Sequence, residues 1–119
     1  MSARIAFLMR HSPYGSVYPA EGFRAILGTA VFEMDIVVVF VDDGVYVPLK
    51  GQQAGGLDMK SLAEGFPGLA DVGVKEFYVH DESLAERGLA ASDLAVDATV
   101  AGSARIAEVL AGCSAVLPF

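Results

Sequence analysis

The chain has 119 residues, 54% hydrophobic and 19% charged, with a net charge of −7. This length sustains one domain with a real core, and the apolar excess over one small core points to oligomerisation. The acidic balance and the lack of any Lys/Arg cluster argue against direct nucleic-acid binding and against anionic membrane surfaces. A single cysteine, Cys113, rules out an intrachain disulfide and a Cys-rich zinc site. No stretch has the apolar length of a signal peptide core or a membrane span, so the expectation is a cytoplasmic protein.

Arg4 to Met9 is a short apolar run that reads as a buried strand, ended by Arg10, His11, Ser12, Pro13 and Gly15. Pro19 suits a first helical turn. Phe23, Ile26, Leu27, Ala30, Val31 and Met34 recur at helical spacing, which predicts an amphipathic helix over 19–34. Ile36 to Val41 is β-branched without alternation, as in a central parallel strand covered on both faces. Asp42, Asp43 and Gly44 end it, with Gly44 expected to supply a positive φ. Val45–Val47 reads as a short extended piece. A loop over 48–56 leads to Asp58, which can cap a second helix carrying Met59, Leu62, Ala63 and Phe66. Gly65, Pro67 and Gly68 close or break that helix.

Val74 to Val79 reads as a third strand, succeeded by a short helix from Asp81 or Ser83 that ends at Gly88. Leu94–Val96 is the expected fourth strand. Ser103 opens a last helix with Ile106, Val109 and Leu110 inward, and Ala115–Leu117 is a fifth strand. This alternation predicts one α/β domain over 1–119: a mainly parallel five-stranded sheet with helices on both faces.

Ligands of such sheets sit beyond the carboxyl ends of the strands. Three loops qualify, and they supply the candidate site residues: His11, Tyr14 and Gly15; Asp42, Asp43 and Gly44; His80 and Asp81. The first, RHSPYGS, is neither a GxGxxG nor a Walker A sequence, so an ordinary strand-to-helix turn is the plainer reading. The paired aspartates of VDDGVY can bind Mg²⁺ or act as acid and base, yet they also make a common polar turn. His80 can serve as a general base or metal ligand, and the only other histidine is His11. No ligand pair has a diagnostic spacing, and Asp81 can simply cap a helix. Cys113 comes after a helix instead of before one and reads as a buried structural thiol. No serine lies in a GxSxG elbow, so the sequence lends no support to a hydrolase triad.

The segments RHSPYGSVYPAEGFRAIL, VFVDDGVYVPLKGQ, FYVHDESLAERGL and SAVLPF, in this order, resemble the DsrE/DsrF-like sulfur-relay family over essentially the whole chain. Within it they resemble the DsrF/TusC subunit type. The most specific part runs from Asp42 to Gln52, supported by Glu86–Leu89. The resemblance implies a small α/β fold and a place in a heterohexamer with DsrE/TusD-like and DsrH/TusB-like subunits. It also implies a DsrC/TusE-like sulfur acceptor reached through the complex, in intracellular sulfur oxidation or tRNA 2-thiouridine synthesis. In the family's catalytic subunits the sulfur-carrying cysteine sits just after the third strand. Here that slot falls at about His80, and imidazole cannot carry sulfane sulfur as a thiolate does. The resemblance therefore implies a non-catalytic subunit, and from the residues no cofactor and no resident metal are expected. The alternative is a stand-alone homo-oligomer that binds a small molecule or metal through the three strand-end loops. Tyr14, Tyr18, Phe23, Tyr46 and Phe66 are the aromatic candidates for an interface.

Overall fold

The computed structural model describes residues 4–13, 17–50 and 62–119. Five strands form one all-parallel sheet: β1 (Arg4–Met9), β2 (Asp35–Phe40), β3 (Glu76–His80), β4 (Thr99–Ala101) and β5 (Ala115–Pro118), in the order β4-β3-β2-β1-β5. Three α-helices accompany them: α1 (Tyr18–Ala30), α2 (Asp81–Glu86) and α3 (Ser103–Ala111). Two 3₁₀ stretches cover Asp42–Tyr46 and Leu62–Val72, and a 3₁₀ turn covers Ala91–Asp93.

β2 is the central strand, and its unbroken apolar run is explained by two cores. On one face Phe7, Met9, Ile36, Val38, Phe40, Phe77 and Val79 pack with Ile26 of α1, Phe66 and Leu69 of the second 3₁₀ stretch, and Leu84 of α2. On the other face Ala6, Val37, Val39, Tyr78 and Ala101 pack with Ile106 and Val109 of α3. The chain steps from β1 through β2 and β3 to β4, then returns through α3 to β5 at the far edge. Crossovers of one hand that run in opposite directions lie on opposite faces. The loops after β3 and β4 therefore diverge, one to each face. Ligands collect at such a divergence in open α/β sheets.

Several elements depart from the sequence reading. Helix α1 stops at Ala30, four residues early. Its end is a turn in which Phe32 and Glu33 N–H donate back to Thr29 and Ala30, and Glu33 takes a φ of 57°. A left-handed residue cannot continue a right-handed helix. Asp58 and Met59, the expected start of a second helix, lie outside the described residues. The stretch Leu62–Val72 is 3₁₀ in form and holds Pro67 within it. Proline lacks an N–H, and Gly65 and Gly68 flank it, so a continuous α-helix is disfavoured here. A three-residue repeat still sets Phe66 and Leu69 on one buried side.

Val45–Val47 is not extended. Val45 and Tyr46 belong to the 3₁₀ turn after β2, Val47 caps it with a helical backbone, and Val45 and Val47 are both fully buried. Leu94–Val96 is not the fourth strand. Leu94 makes a lone antiparallel bridge to Leu49, and Leu94 and Val96 fill the first core. The true β4 is three residues at the sheet edge, with Thr99 and Val100 exposed and only Ala101 buried. So short and half-exposed a strand leaves little apolar signal. At the opposite end of the sheet, Arg4 ties the starts of three strands together through ion pairs to Asp35 at 3.5 Å and to Glu76.

Candidate functional site

β2 and β3 are neighbours, so the loops at their carboxyl ends meet at one edge of the sheet. Gly44 occupies the tightest point. A Cβ there would lie 1.9 Å from the Met9 carbonyl oxygen, so glycine is required by close approach. The positive φ belongs to Asp42, at 50°, and not to Gly44 as the sequence suggests. Aspartate tolerates that conformation better than most residues.

From this turn the Asp42 N–H donates to Ser83 Oγ at 2.9 Å. Ser83 is only 2% exposed. Its Oγ also lies 2.8 Å from Nδ1 of His80, and the other ring nitrogen, Nε2, lies 2.8 Å from Ser103 Oγ. One imidazole thus joins the start of α2 to the start of α3 across the divergence of the two loops. Asp81 does not cap α2 from outside. It is the first helical residue, with His80 before it. Its Oδ1 accepts from Glu82 N–H at 2.6 Å and stands 3.8 Å from His80 Nε2. Asp81 and Glu82 in the first turn suit the positive end of the helix dipole.

Arg87 braces the same corner. Its Nε and Nη2 donate to Asp43 Oδ1 at 3.1 and 3.0 Å, and its Nη1 donates to the Ser83 carbonyl at 3.1 Å. Gly88, with a φ of 66°, then ends the segment. Beside the network is a cleft of about 240 Å³ lined by Val41, Asp42, His80, Ser103, Ile106, Ala107 and Leu110.

The sequence candidates divide accordingly. Asp42, Asp43, Gly44, His80 and Asp81 come together. His11 lies after β1, and β2 stands between β1 and β3, so it belongs to another part of the edge. There it stacks on Tyr18 with ring centroids 4.8 Å apart. Tyr14 and Gly15 lie outside the described residues. No group of three His, Cys, Asp or Glu side chains converges as a metal site among the described residues. Phe66, a candidate for an interface, is fully buried and meets Phe23 and Phe40 edge-on. Nothing in the sequence singles out Ser83 or Ser103, because serines at helix starts read as ordinary punctuation. For Arg87 the ERG segment is the only hint.

Cys113 is half-buried, and its thiol donates to the Val109 carbonyl at 3.3 Å. Burial raises its pKa, against the opposing charge of Arg4. The local sequence places no fixed positive charge near this thiol, and the fold brings Arg4 to it. No helix among the described residues is long and apolar enough to cross a membrane.

Comparison with known proteins agrees with this fold. The chain is 34% identical to the intracellular sulfur oxidation protein DsrF of Allochromatium vinosum, over 98% of this chain and 96% of that one. It is 34% identical to a TusC homolog of Vibrio parahaemolyticus, over 98% and 99% of the two chains. It is 31% identical to TusC of Escherichia coli, over 98% of each. The crystal structure of the ychN protein from E. coli superposes with a TM-score of 0.85 over the full length of both chains, at 20% identity, and so shares the fold. Residues 3–119 match the model of one family, and the chain belongs to it: the DsrE/DsrF-like family.

Proposed function

We propose that this chain is a non-catalytic, DsrF/TusC-like subunit of a sulfur-relay assembly, built with DsrE/TusD-like and DsrH/TusB-like partners. The observation that carries the reading is the occupant of the slot after β3. A relay subunit that carries sulfur needs a thiolate there. This chain has His80 instead, with both ring nitrogens engaged by serine hydroxyls. The full-length likeness to relatives named DsrF and TusC supports the same role. So does the exposed apolar surface. Val31 and Phe32 at the end of α1 are 71% and 76% exposed, and Val116 and Leu117 lie open on edge strand β5. Burial of such surface against neighbouring subunits favours association.

The test is co-expression with DsrE/TusD-like and DsrH/TusB-like subunits, then size-exclusion chromatography with light scattering. A stable complex containing this chain is expected. A clean monomer that ignores both partners overturns the reading. In an assembled complex, His80→Ala should leave sulfur transfer close to the unmodified rate. A large loss with assembly intact would give His80 a direct part in the relay.

A further inference from the structure

Independently of any part in a relay, we infer that Ser103, His80 and Ser83 form a serine nucleophile site for small, uncharged acyl groups, served by the cleft beside them. Ser103 is exposed at the start of α3, and its Oγ lies 2.8 Å from His80 Nε2. The opposite ring nitrogen is held at 2.8 Å by Ser83 Oγ. Nucleophile, base and orienting group thus stand in line, each within hydrogen-bond reach of the next.

The hydrogen-bond inventory permits this order. One lone pair of Ser83 Oγ takes the Asp42 N–H. The other can take an N–H from His80 Nδ1, and that tautomer leaves the Nε2 lone pair facing the Ser103 hydroxyl. The first intrahelical bond of α3 runs from Ile106 N–H to the Gly102 carbonyl at 3.0 Å. The N–H groups of Ser103, Ala104 and Arg105 precede it and have no partner within the helix. Such donors beside a nucleophile suit the oxygen of a tetrahedral intermediate.

The cleft sets the substrate class. At about 240 Å³ it is smaller than a typical drug-sized pocket. Val41, Ile106, Ala107 and Leu110 make its wall apolar, and Asp42 at its margin repels carboxylates. A short acyl ester or thioester fits this description. In the first step Ser103 Oγ bonds to the carbonyl carbon while its proton passes to Nε2 and the carbonyl electron pair moves onto oxygen. Collapse breaks the bond to the alcohol or thiol, which leaves with the proton from Nε2. Water then repeats both steps, releasing the carboxylic acid and restoring Ser103. Water is the only co-reactant.

The full-length chain is incubated with a fluorophosphonate, which a nucleophilic serine attacks at phosphorus with loss of fluoride, and the adduct is located by peptide mass spectrometry. Hydrolysis of p-nitrophenyl acetate is measured in parallel. The expected adduct is on Ser103. Ser103→Ala abolishes the adduct and the hydrolysis above background. His80→Gln slows labelling about 100-fold or more, the usual loss when a general base is removed. Ser83→Ala slows it less, and Ser83→Thr, which keeps the hydroxyl, restores it. Circular dichroism verifies that each variant is folded. Ser103→Cys is the second check, with its new thiol alkylated faster than Cys113. No adduct under conditions that fully label a serine hydrolase, an adduct elsewhere, or labelling indifferent to His80→Gln overturns the assignment. None of these outcomes bears on subunit assembly.

Discussion

The Met9 carbonyl oxygen fills the space where a side chain at Gly44 would begin. An added Cβ would sit 1.9 Å from that oxygen and 2.4 Å from its carbon. The same carbonyl accepts the Val41 N–H at 3.0 Å, so it cannot swing away without breaking the end of the β1–β2 ladder. Gly44→Ala should therefore destabilise the fold by about 3 kcal/mol, the upper end of the usual cost of overpacking. Gly28 in α1 is the matched control, because nothing lies within 4 Å of a Cβ built there. Gly28→Ala should stabilise by about 0.5–1 kcal/mol through helix propensity. Urea unfolding of the two variants checks both signs.

Ser83→Ala should cost about 1–3 kcal/mol, because it removes a buried hydroxyl that accepts the part-buried Asp42 N–H and also meets His80. Ser103→Ala, at an exposed position, should change stability by less than about 0.5 kcal/mol. Both lose a hydrogen bond to His80, and Ser83→Ala also strips the Asp42 N–H of its acceptor, so the contrast reports the combined cost of that donor and of burial. Equal losses in thermal or urea unfolding would contradict it.

Arg87 and Asp43 are 44 positions apart in the chain and join the β2 and β3 loops. The carboxylate is largely exposed, so a double-mutant cycle with Arg87→Ala and Asp43→Ala should give a coupling of only about 0.5–1 kcal/mol. It should shrink as salt is raised. Arg87→Ala alone should cost more than Asp43→Ala alone, because the guanidinium also holds the Ser83 carbonyl.

Burial raises the pKa of Cys113 and favours the neutral thiol. Alkylation by iodoacetamide should therefore accelerate at higher pH than for an unhindered thiol. A folded-state value raised above the unfolded one gives a stability contribution present in full below the unfolded thiol value. That contribution is lost as pH rises through the folded value. Cys113→Ser should thus make stability less sensitive to pH in the alkaline range. Treatment with a cysteine desulfurase and labelled cysteine should leave no persulfide on Cys113, as mass spectrometry would report. A labelled Cys113 would make this chain a sulfur carrier.

Local pattern is enough for much of this molecule. The unbroken run Ile36–Val41 marks a central strand because burial on both faces leaves no polar position. Strand and helix alternation then implies the parallel sheet, and the strand-end loops stand out as the place for chemistry. That no cysteine directly follows β3 is equally plain, and only the family resemblance makes that position a slot for one. Other features need the assembled chain. The sheet order decides that Asp42 meets Ser83, and that His80 has Ser103 as a partner 23 residues away. Gly44 looks like a turn residue, but its necessity comes from the backbone of β1. The edge strand Thr99–Ala101 is hidden because three half-exposed residues carry almost no periodicity, while Leu94–Val96 imitates a strand by filling a core. Sequence alone determined most of the elements, since burial patterns are local. The hydrogen-bonded site was decided only by tertiary structure, because it joins three segments through contacts whose spacing in the chain is arbitrary.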